Sequence, residues 1–338
     1  MTTQQDALHS RPAIAVTMGD PAGIGPELCL RALDEASLLS ECIPVVLGDA
    51  GVLRRVAHTC DLSLPERIVT LGEWQANPHV QQPLVVDCQA IDADHVRPGE
   101  VDRACGHAAY TYVEAGIRAA QRGDVAAVTT APLHKEALHL SGVPYPGHTE
   151  ILAALTGAPR VCMMLASPEI TTSFVTGHTG LADVPAQIST ERVLEVIELT
   201  ADAVRRLQGH APRIAVCGLN PHAGEHGLFG RQEEQRFIEP AIDAARARGI
   251  DVQGPLPPDA AFVPHMRGQF DAFVCMYHDQ GHIPMKLLDF EGGVNLTMGL
   301  PIVRTSVDHG TAFDIAWQGK ANPSSLLHAI LCAARLAG

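Results

Sequence analysis

The chain has 338 residues, 46% of them hydrophobic, and a formal net charge of −14 at pH 7. This length predicts two domains or two lobes with a sizeable core, and no apolar stretch approaches the length that spans a bilayer. The charge argues against nucleic acid and anionic membranes as partners, because the field of an acidic protein repels both. An anionic substrate would also be repelled unless basic residues are gathered at one place.

The cysteines and the N-terminus indicate the compartment. Nine cysteines are scattered along the chain without a CxxC pair, which is typical of small buried thiols in a reducing cytosol. The N-terminal MTTQQDALHSRP lacks the apolar segment of a signal peptide. We therefore expect a cytoplasmic protein.

Short β-branched apolar runs alternate with longer helical patterns along the chain, which favours a parallel α/β sheet covered on both faces. The predicted strands are Ala13–Met18, Pro44–Leu47, Leu84–Asp87, Ala126–Thr130, Val161–Leu165, Thr172–Thr176, Arg213–Cys217, Ala272–Met276 and Ile302–Ser306. The predicted helices are Gly25–Ala36, Gly106–Arg122, Thr149–Thr156, Ser189–Arg206, Glu233–Arg248 and Ser324–Leu336. The Pro-rich stretch Gly254–Asp259 is expected to form a tight loop.

One histidine follows each of three predicted strands, at the strand ends where open α/β sheets bind ligands. These are His178, His222 and His278. Three imidazoles leave coordination positions open on Zn, Mn, Co or Ni, and such a site can lower the pKa of a bound substrate hydroxyl. Three unrelated loop histidines stay open as an alternative, because ligands far apart in sequence carry no spacing signature. His226 and His282 nearby are expected to be supporting or surface residues.

Two stretches rich in small residues lie near the two ends of the chain. Gly19–Glu27 follows a predicted strand, but Leu28 stands where a dinucleotide fingerprint needs its third glycine. A tight turn with Pro26 at a helix start explains the stretch equally well. Near the C-terminus, the small residues of Ser306–Ala316 allow a flat ligand to approach the backbone.

Five motifs taken together resemble the 4-hydroxythreonine-4-phosphate dehydrogenase family. They are GDPAGIGPE at Gly19–Glu27, YPGHTE at Tyr145–Glu150, NPHAGE at Asn220–Glu225, YHDQG at Tyr277–Gly281 and SVDHGTAFDIA at Ser306–Ala316. The resemblance extends over nearly the whole chain. GIGPE, HGTAFDIA and GKANP are also similar to pieces shared with isocitrate and isopropylmalate dehydrogenases, which would explain a nicotinamide enzyme without the Rossmann glycines.

The resemblance implies an α/β fold with a two-lobed α/β/α subunit, similar to isocitrate and isopropylmalate dehydrogenases, and an active-site cleft between the lobes. The expected first lobe comprises residues 1–132 with 300–338 and carries the cofactor. The second lobe, residues 133–299, is expected to carry the metal, the substrate and the dimer contacts. A homodimer with a shared active site is implied as well.

The resemblance also implies one divalent metal per site, held by His178, His222 and His278, with zinc foremost and Mg, Mn, Co or Ni as alternatives. The implied substrate residues lie in YPGHTE and in the segments that follow YHDQG, and they are His148, Thr149, Lys286, Asn295 and Arg304. Lys286 and Arg304 are cations that suit a phosphate or carboxylate.

The cofactor is expected to be NAD or NADP, bound by the C-terminal motif through His309, Gly310, Thr311, Asp314 and Asn322. The candidate catalytic residues are Asp259, Asp279 and Lys135. Either carboxylate would orient a ligand histidine or relay a proton, and the sequence leaves open which does so. Lys135 is also a candidate for the anion site.

The implied reaction is oxidation of a hydroxyl to a 3-oxo acid, which loses CO2 readily. Three substrates stay open: 4-phosphohydroxy-L-threonine of pyridoxal-phosphate biosynthesis, D-threonate or D-erythronate 4-phosphate of sugar-acid catabolism, and the cis-dihydrodiol of terephthalate. KEALHL, GLFG and DIAWQGKA look closer to the second branch, and His148-Thr149 argues for phosphate over the terephthalate branch. A non-catalytic sugar-phosphate-binding protein is the alternative of another class.

Overall fold

The computed structural model describes residues 11–289 and 292–338. Contacts between residues divide the chain into two compact units. The first unit comprises the chain up to Pro159 together with Leu300–Gly338, and the second comprises Arg160–Gly299. Each unit contains strands and helices, so the predicted α/β class is confirmed.

In the residues that the structure describes, six parallel strands form the sheet of the first unit. They are β1 (Ala13–Thr17), β2 (Ile43–Gly48), β3 (Ile68–Thr70), β4 (Leu84–Asp87), β5 (Ala127–Thr130) and β12 (Val303–Val307). Their order is β3-β4-β2-β1-β5-β12, and every pair is parallel. β1, β2 and β5 are buried almost throughout, as expected for parallel strands with both faces covered.

Within the described part of the first unit, eight α-helices accompany this sheet. They are α1 (Gly25–Asp34), α2 (Ala36–Glu41), α3 (Ala50–Cys60), α4 (Leu71–Ala76), α5 (Arg103–Arg122), α6 (Lys135–Leu140), α7 (His148–Thr156) and α14 (Ser324–Ala337). Capping explains the limits of the long α5: the Asp102 side chain accepts hydrogen bonds from the backbone of Ala104 and Cys105, and Gly123 ends the helix with a φ of 78°. α1 begins with Pro26 in its first turn, as predicted.

The first unit extends further along the chain than predicted. Val113 and Ile117 of α5 pack against Leu138 of α6 and Ile151 and Leu152 of α7. Because α6 and α7 pack against α5 in this small core, the N-terminal part of the first unit continues to Pro159. The sequence had placed its end at residue 132.

The second unit has a mixed sheet. Its strands are β6 (Cys162–Ala166), β7 (Thr171–Phe174), β8 (Arg213–Cys217), β9 (Asp251–Leu256), β10 (Ala272–Cys275) and β11 (Val294–Met298). They lie in the order β11-β6-β7-β10-β8-β9. β6 is antiparallel to both of its neighbours, and the remaining pairs are parallel. The parallel prediction was wrong for β6 because the short turn to β7 has no room for a crossover helix.

The helices of the second unit are α8 (Val184–Gln187), α9 (Thr190–Gln208), α10 (Glu239–Ala247), α11 (Pro258–Ala261), α12 (Pro264–Arg267) and α13 (His278–Leu288). A π-helical turn, Glu234–Ile238, directly precedes α10, so the predicted helix from Glu233 has a wider first turn than expected. The loop predicted at Gly254–Asp259 was wrong, because β9 continues to Leu256 and α11 begins at Pro258. Within the described residues, no helix combines the length and apolar character needed to cross a membrane.

Candidate functional site

Three neighbouring strands of the second unit each lead to one of the predicted metal histidines. β7, β10 and β8 are adjacent and parallel, so their carboxyl ends share one edge of the sheet. His178 follows β7, His278 follows β10 and His222 follows β8. The topology therefore collects at one edge three residues that are far apart in sequence.

Two of these imidazoles lie close together. The ring centroids of His178 and His278 are 5.4 Å apart, whereas the ring of His222 has Phe229 as a neighbour, with centroids 6.2 Å apart. In residues 11–289 and 292–338, no group of three or more His, Cys, Asp or Glu side chains is arranged to hold a metal ion. The donor types suit a borderline metal, and the geometry brings two of the three predicted ligands together.

The ring of His278 is held on two sides. Its Nδ1 lies 2.7 Å from Oδ1 of Asp279, and its face stacks on His282 with centroids 3.5 Å apart. His282 is itself anchored, since its Nδ1 lies 2.9 Å from the carbonyl oxygen of His278. Asp279 therefore contacts a predicted ligand histidine, as an orienting carboxylate does, while Asp259 lies exposed in the first turn of α11.

Three basic side chains of the first unit form a cluster. Arg304 on β12 is 4% exposed and donates from Nη2 to Oγ1 of Thr130 at 2.7 Å. Burial lowers the pKa of Arg304 to about 9, so the guanidinium is still charged at pH 7. Burial, followed by the charges of Arg304 and Lys135, holds the pKa of His148 well below its ordinary value.

His148 is the first residue of α7, and its buried Nε2 has no hydrogen-bond partner. No side chain caps this helix, so backbone N–H groups and the positive end of the helix dipole add to the cluster. Thr149 is exposed next to it, and Lys135 is exposed at the start of α6. A buried cation, an unpartnered imidazole nitrogen and a helix N-terminus together suit an anion.

The predicted cofactor segment rests on the N-terminal motif. Backbone N–H groups of Gly319 and Ala321 donate to the buried carboxylate of Glu27 at 3.1 and 2.9 Å, and Ile24 donates to the carbonyl of Thr311 at 3.0 Å. A Cβ on Gly23 would lie 3.0 Å from Thr311. Gly23 of the N-terminal motif thus allows close packing against the C-terminal segment, and Glu27, which sequence reasoning missed, holds that segment.

The remaining predicted site residues lie in the C-terminal segment of the first unit and in the second unit. His309, Gly310, Asp314 and Asn322 are exposed, and Thr311 is buried. In the second unit, Lys286 is exposed on α13 and Asn295 is half-buried on β11. Sequence reasoning missed Glu234 as well, a buried carboxyl group that contacts the loop carrying His222.

Comparisons with known proteins give one consistent result. The family model described as "Pyridoxal phosphate biosynthetic protein PdxA" matches residues 40–333. D-threonate 4-phosphate dehydrogenase of Cupriavidus necator is 46% identical over 96% of this chain and 97% of its own. The crystal structure of a 4-hydroxythreonine-4-phosphate dehydrogenase from Klebsiella pneumoniae is 44% identical over 97% of this chain and 100% of that one, with a TM-score of 0.85. A terephthalate 1,2-cis-dihydrodiol dehydrogenase from Burkholderia xenovorans is 34% identical over 96% of this chain and 98% of that one, with a TM-score of 0.70.

We expect His148 to make the stability of the protein depend on pH. Its folded pKa lies below that of an unfolded histidine, so the unfolded chain takes up the proton first and stability falls as the pH drops through about 6.5. The loss should approach roughly 1 kcal/mol per pH unit and should be absent from His148→Asn. Urea unfolding from pH 7.5 to 5.5 in phosphate-free buffer measures it. His226→Asn, at an exposed histidine, is the control. If the unfolding free energies of wild type and His148→Asn have equal slopes with pH, the lowered pKa assigned to His148 is wrong.

Proposed function

Because the chain belongs to the family of the pyridoxal phosphate biosynthetic protein PdxA, we propose that it is a dehydrogenase that oxidises a 4-phosphorylated hydroxy acid with NAD or NADP. The observation that carries the proposal is the cluster of Arg304, His148 and Lys135 in a protein of net charge −14. A partly buried basic cluster in an acidic protein suits an anionic ligand, and a phosphate dianion is such a ligand.

The basic cluster favours a phosphorylated substrate over a dihydrodiol. Arg304 supplies a fixed charge, and the neutral imidazole of His148 offers Nε2 as a hydrogen-bonding group. Thr149 adds a hydroxyl at the helix N-terminus, where an anion is favoured. D-threonate or D-erythronate 4-phosphate is the first choice of substrate and 4-phosphohydroxy-L-threonine the second, because KEALHL and DIAWQGKA resemble the former branch. The terephthalate dihydrodiol is the alternative within the family.

A divalent metal, zinc foremost, is proposed at the edge formed by β7, β10 and β8, with His178, His278 and His222 as ligands. The shared strand edge and the 5.4 Å between the rings of His178 and His278 support it. Asp279 holds Nδ1 of His278 and so leaves Nε2 for coordination. A cation bound there would lower the pKa of the substrate hydroxyl and stabilise the resulting negative charge.

Lys286 and Asn295 of the second unit are proposed as further substrate contacts. Because Asp279 is engaged with His278, Asp259 is the first proposed candidate for the group that removes the hydroxyl proton. Lys135 is the second, and in that role its charge would not contribute to the anion cluster. A bound NAD or NADP would supply the hydride acceptor, and the resulting 3-oxo acid would lose CO2. His309, Gly310, Thr311, Asp314 and Asn322 are proposed to bind the nucleotide. A cytoplasmic location stays a prediction.

The test of the substrate is a side-by-side assay, following nicotinamide reduction with added metal. We expect turnover of a 4-phosphorylated acid and little of the unphosphorylated threonate or a dihydrodiol. Arg304→Ala should lower kcat/KM for the phosphorylated acid by roughly 30-fold to several thousand-fold, since truncating a desolvated charged partner costs about 2–5 kcal/mol.

Arg304→Lys, which retains a charge, should lose less activity than Arg304→Ala. The unphosphorylated acid should lose little more in either variant. Equal wild-type turnover of threonate or a dihydrodiol would reject the phosphate assignment, and no turnover of any of these compounds would favour a non-catalytic binding protein.

The metal proposal is tested at the His222 loop. His222→Ala should abolish activity, and the amount of bound metal measured by mass spectrometry should fall with it. A site with three protein ligands loses most of its affinity for the metal when one of them is removed. His226→Ala, a second exposed histidine in the same turn, is the matched control and should retain both. Full metal content in His222→Ala would exclude His222 as a ligand.

A homodimer with a shared active site is proposed as well. Ile283 and Leu287 of α13 are 58% and 81% exposed, and their spacing puts both on one helix face. Lys286 lies on the same helix, so a partner covering this face would adjoin a proposed substrate contact. Leu287→Glu should lower the mass in sedimentation and the activity together, whereas Leu140→Glu, at an exposed leucine of the first unit, should change neither. A fully active monomer would contradict the proposal.

A further inference from the structure

The loop that carries His222 has an unusual backbone. His222, Ala223, Gly224, Glu225 and His226 all have positive φ, with values of 53°, 51°, 79°, 42° and 54°. This left-handed turn costs about 1–2 kcal/mol for each residue with a Cβ. It persists only if its surroundings impose it, and strained segments of this kind concentrate at functional sites.

A single buried carboxyl group holds the start of this turn. Glu234 is fully buried, and its Oε1 accepts hydrogen bonds from the backbone N–H groups of Leu219 and Asn220 at 2.9 and 2.8 Å. Its Oε2 accepts from Nδ2 of Asn220 at 3.0 Å. Two main-chain donors and one side-chain donor therefore fix the segment between β8 and His222.

The glycines of the turn are fitted to the same carboxyl group. A Cβ on Gly224 would lie 2.6 Å from Oε2 of Glu234, and a Cβ on Gly218 would lie 3.3 Å from Oε1. Gly224 thus leaves the space that Glu234 occupies, and its φ of 79° suits glycine. The turn and the carboxyl group form one closely packed unit.

The π-helical turn Glu234–Ile238 sets where this carboxyl group lies. It begins at Glu234 and leads directly into α10, and π-helical turns are frequent at functional sites. Glu233, the preceding residue, accepts from Nδ2 of Asn220 at 3.0 Å. Glu233 and Glu234 thus both accept hydrogen bonds from Asn220, which directly precedes the strained turn.

We propose that Glu234 is a positioning residue for His222: it fixes the left-handed turn so that this imidazole is presented at the shared edge of β7, β10 and β8. The inference rests on the proposed function, because the role of His222 as a metal ligand is itself part of that proposal. It adds a supporting group on the β8 side of the site, as Asp279 supports His278 on the β10 side.

The experiment compares zinc binding by the full-length protein and its variants, using competition with a chromogenic chelator. Glu234→Ala should raise the dissociation constant about 10- to 100-fold, which is typical for loss of a group that supports a ligand. Glu234→Gln keeps one accepting oxygen for Leu219 and Asn220 and should fall between wild type and Glu234→Ala. Glu239→Gln, an exposed glutamate shortly after it, is the matched control and should not change the constant.

A second measurement is independent of the metal. Hydrogen exchange of the Leu219 and Asn220 amides in the zinc-free protein should be faster in Glu234→Ala, and partly restored in Glu234→Gln, while thermal unfolding shows that each variant is folded. If Glu234→Ala is unfolded, Glu234→Gln is used in its place. Faster exchange of the two amides and weaker zinc binding in Glu234→Gln than in wild type support the positioning role, and wild-type values for both contradict it.

The outcomes separate the two proposals. If Glu234→Ala binds zinc as tightly as wild type while His222→Ala does not, the positioning role is wrong and the metal site stands. Unchanged exchange of the two amides would overturn the positioning role in the same way. If His222→Ala keeps wild-type affinity, the ligand assignment itself fails, and the role given to Glu234 fails with it.

Discussion

Parallel strand pairing is the constraint on which both candidate regions depend. In the second unit, β7, β10 and β8 end at one edge, and a histidine follows each of them. In the first unit, β5 and β12 are also parallel neighbours, and the segments that leave them carry Lys135 and the residues proposed to bind the cofactor. Because the buried strands are rigid, they hold loops whose backbones would not adopt these conformations in isolation.

The two histidine loops are held by different means. His278 belongs to a regular helix, so its ring needs only a neighbouring carboxylate and a stacked imidazole to fix it. His222 lies in a left-handed turn, so there the backbone itself must be held, and a buried carboxyl group with main-chain donors does this. In each case a carboxyl group supports the histidine, but on the β8 side it acts through the backbone.

The sequence predicted the elements and the family better than the supporting contacts. Nine of the strands were predicted near their observed limits, because β-branched runs and helical patterns alternate clearly, and the five motifs identified the family that the comparisons confirm. The antiparallel direction of β6 and the strands β3, β9 and β11 were missed, since pairing direction and short strands leave weak local patterns. Glu27 and Glu234 were missed because a buried glutamate looks like a surface one in sequence.

Burial of Arg304 has a cost that a bound anion would offset. A guanidinium removed from water loses solvation, and the fall of its pKa to about 9 expresses that loss. Thr130 accepts a hydrogen bond from Nη2 and, as a neutral group, adds no opposite charge. Burial, and after it the charge of Arg304, lowers the pKa of His148. A phosphate beside both would favour the charged forms of both side chains, so binding and the ionisation of this cluster must be linked.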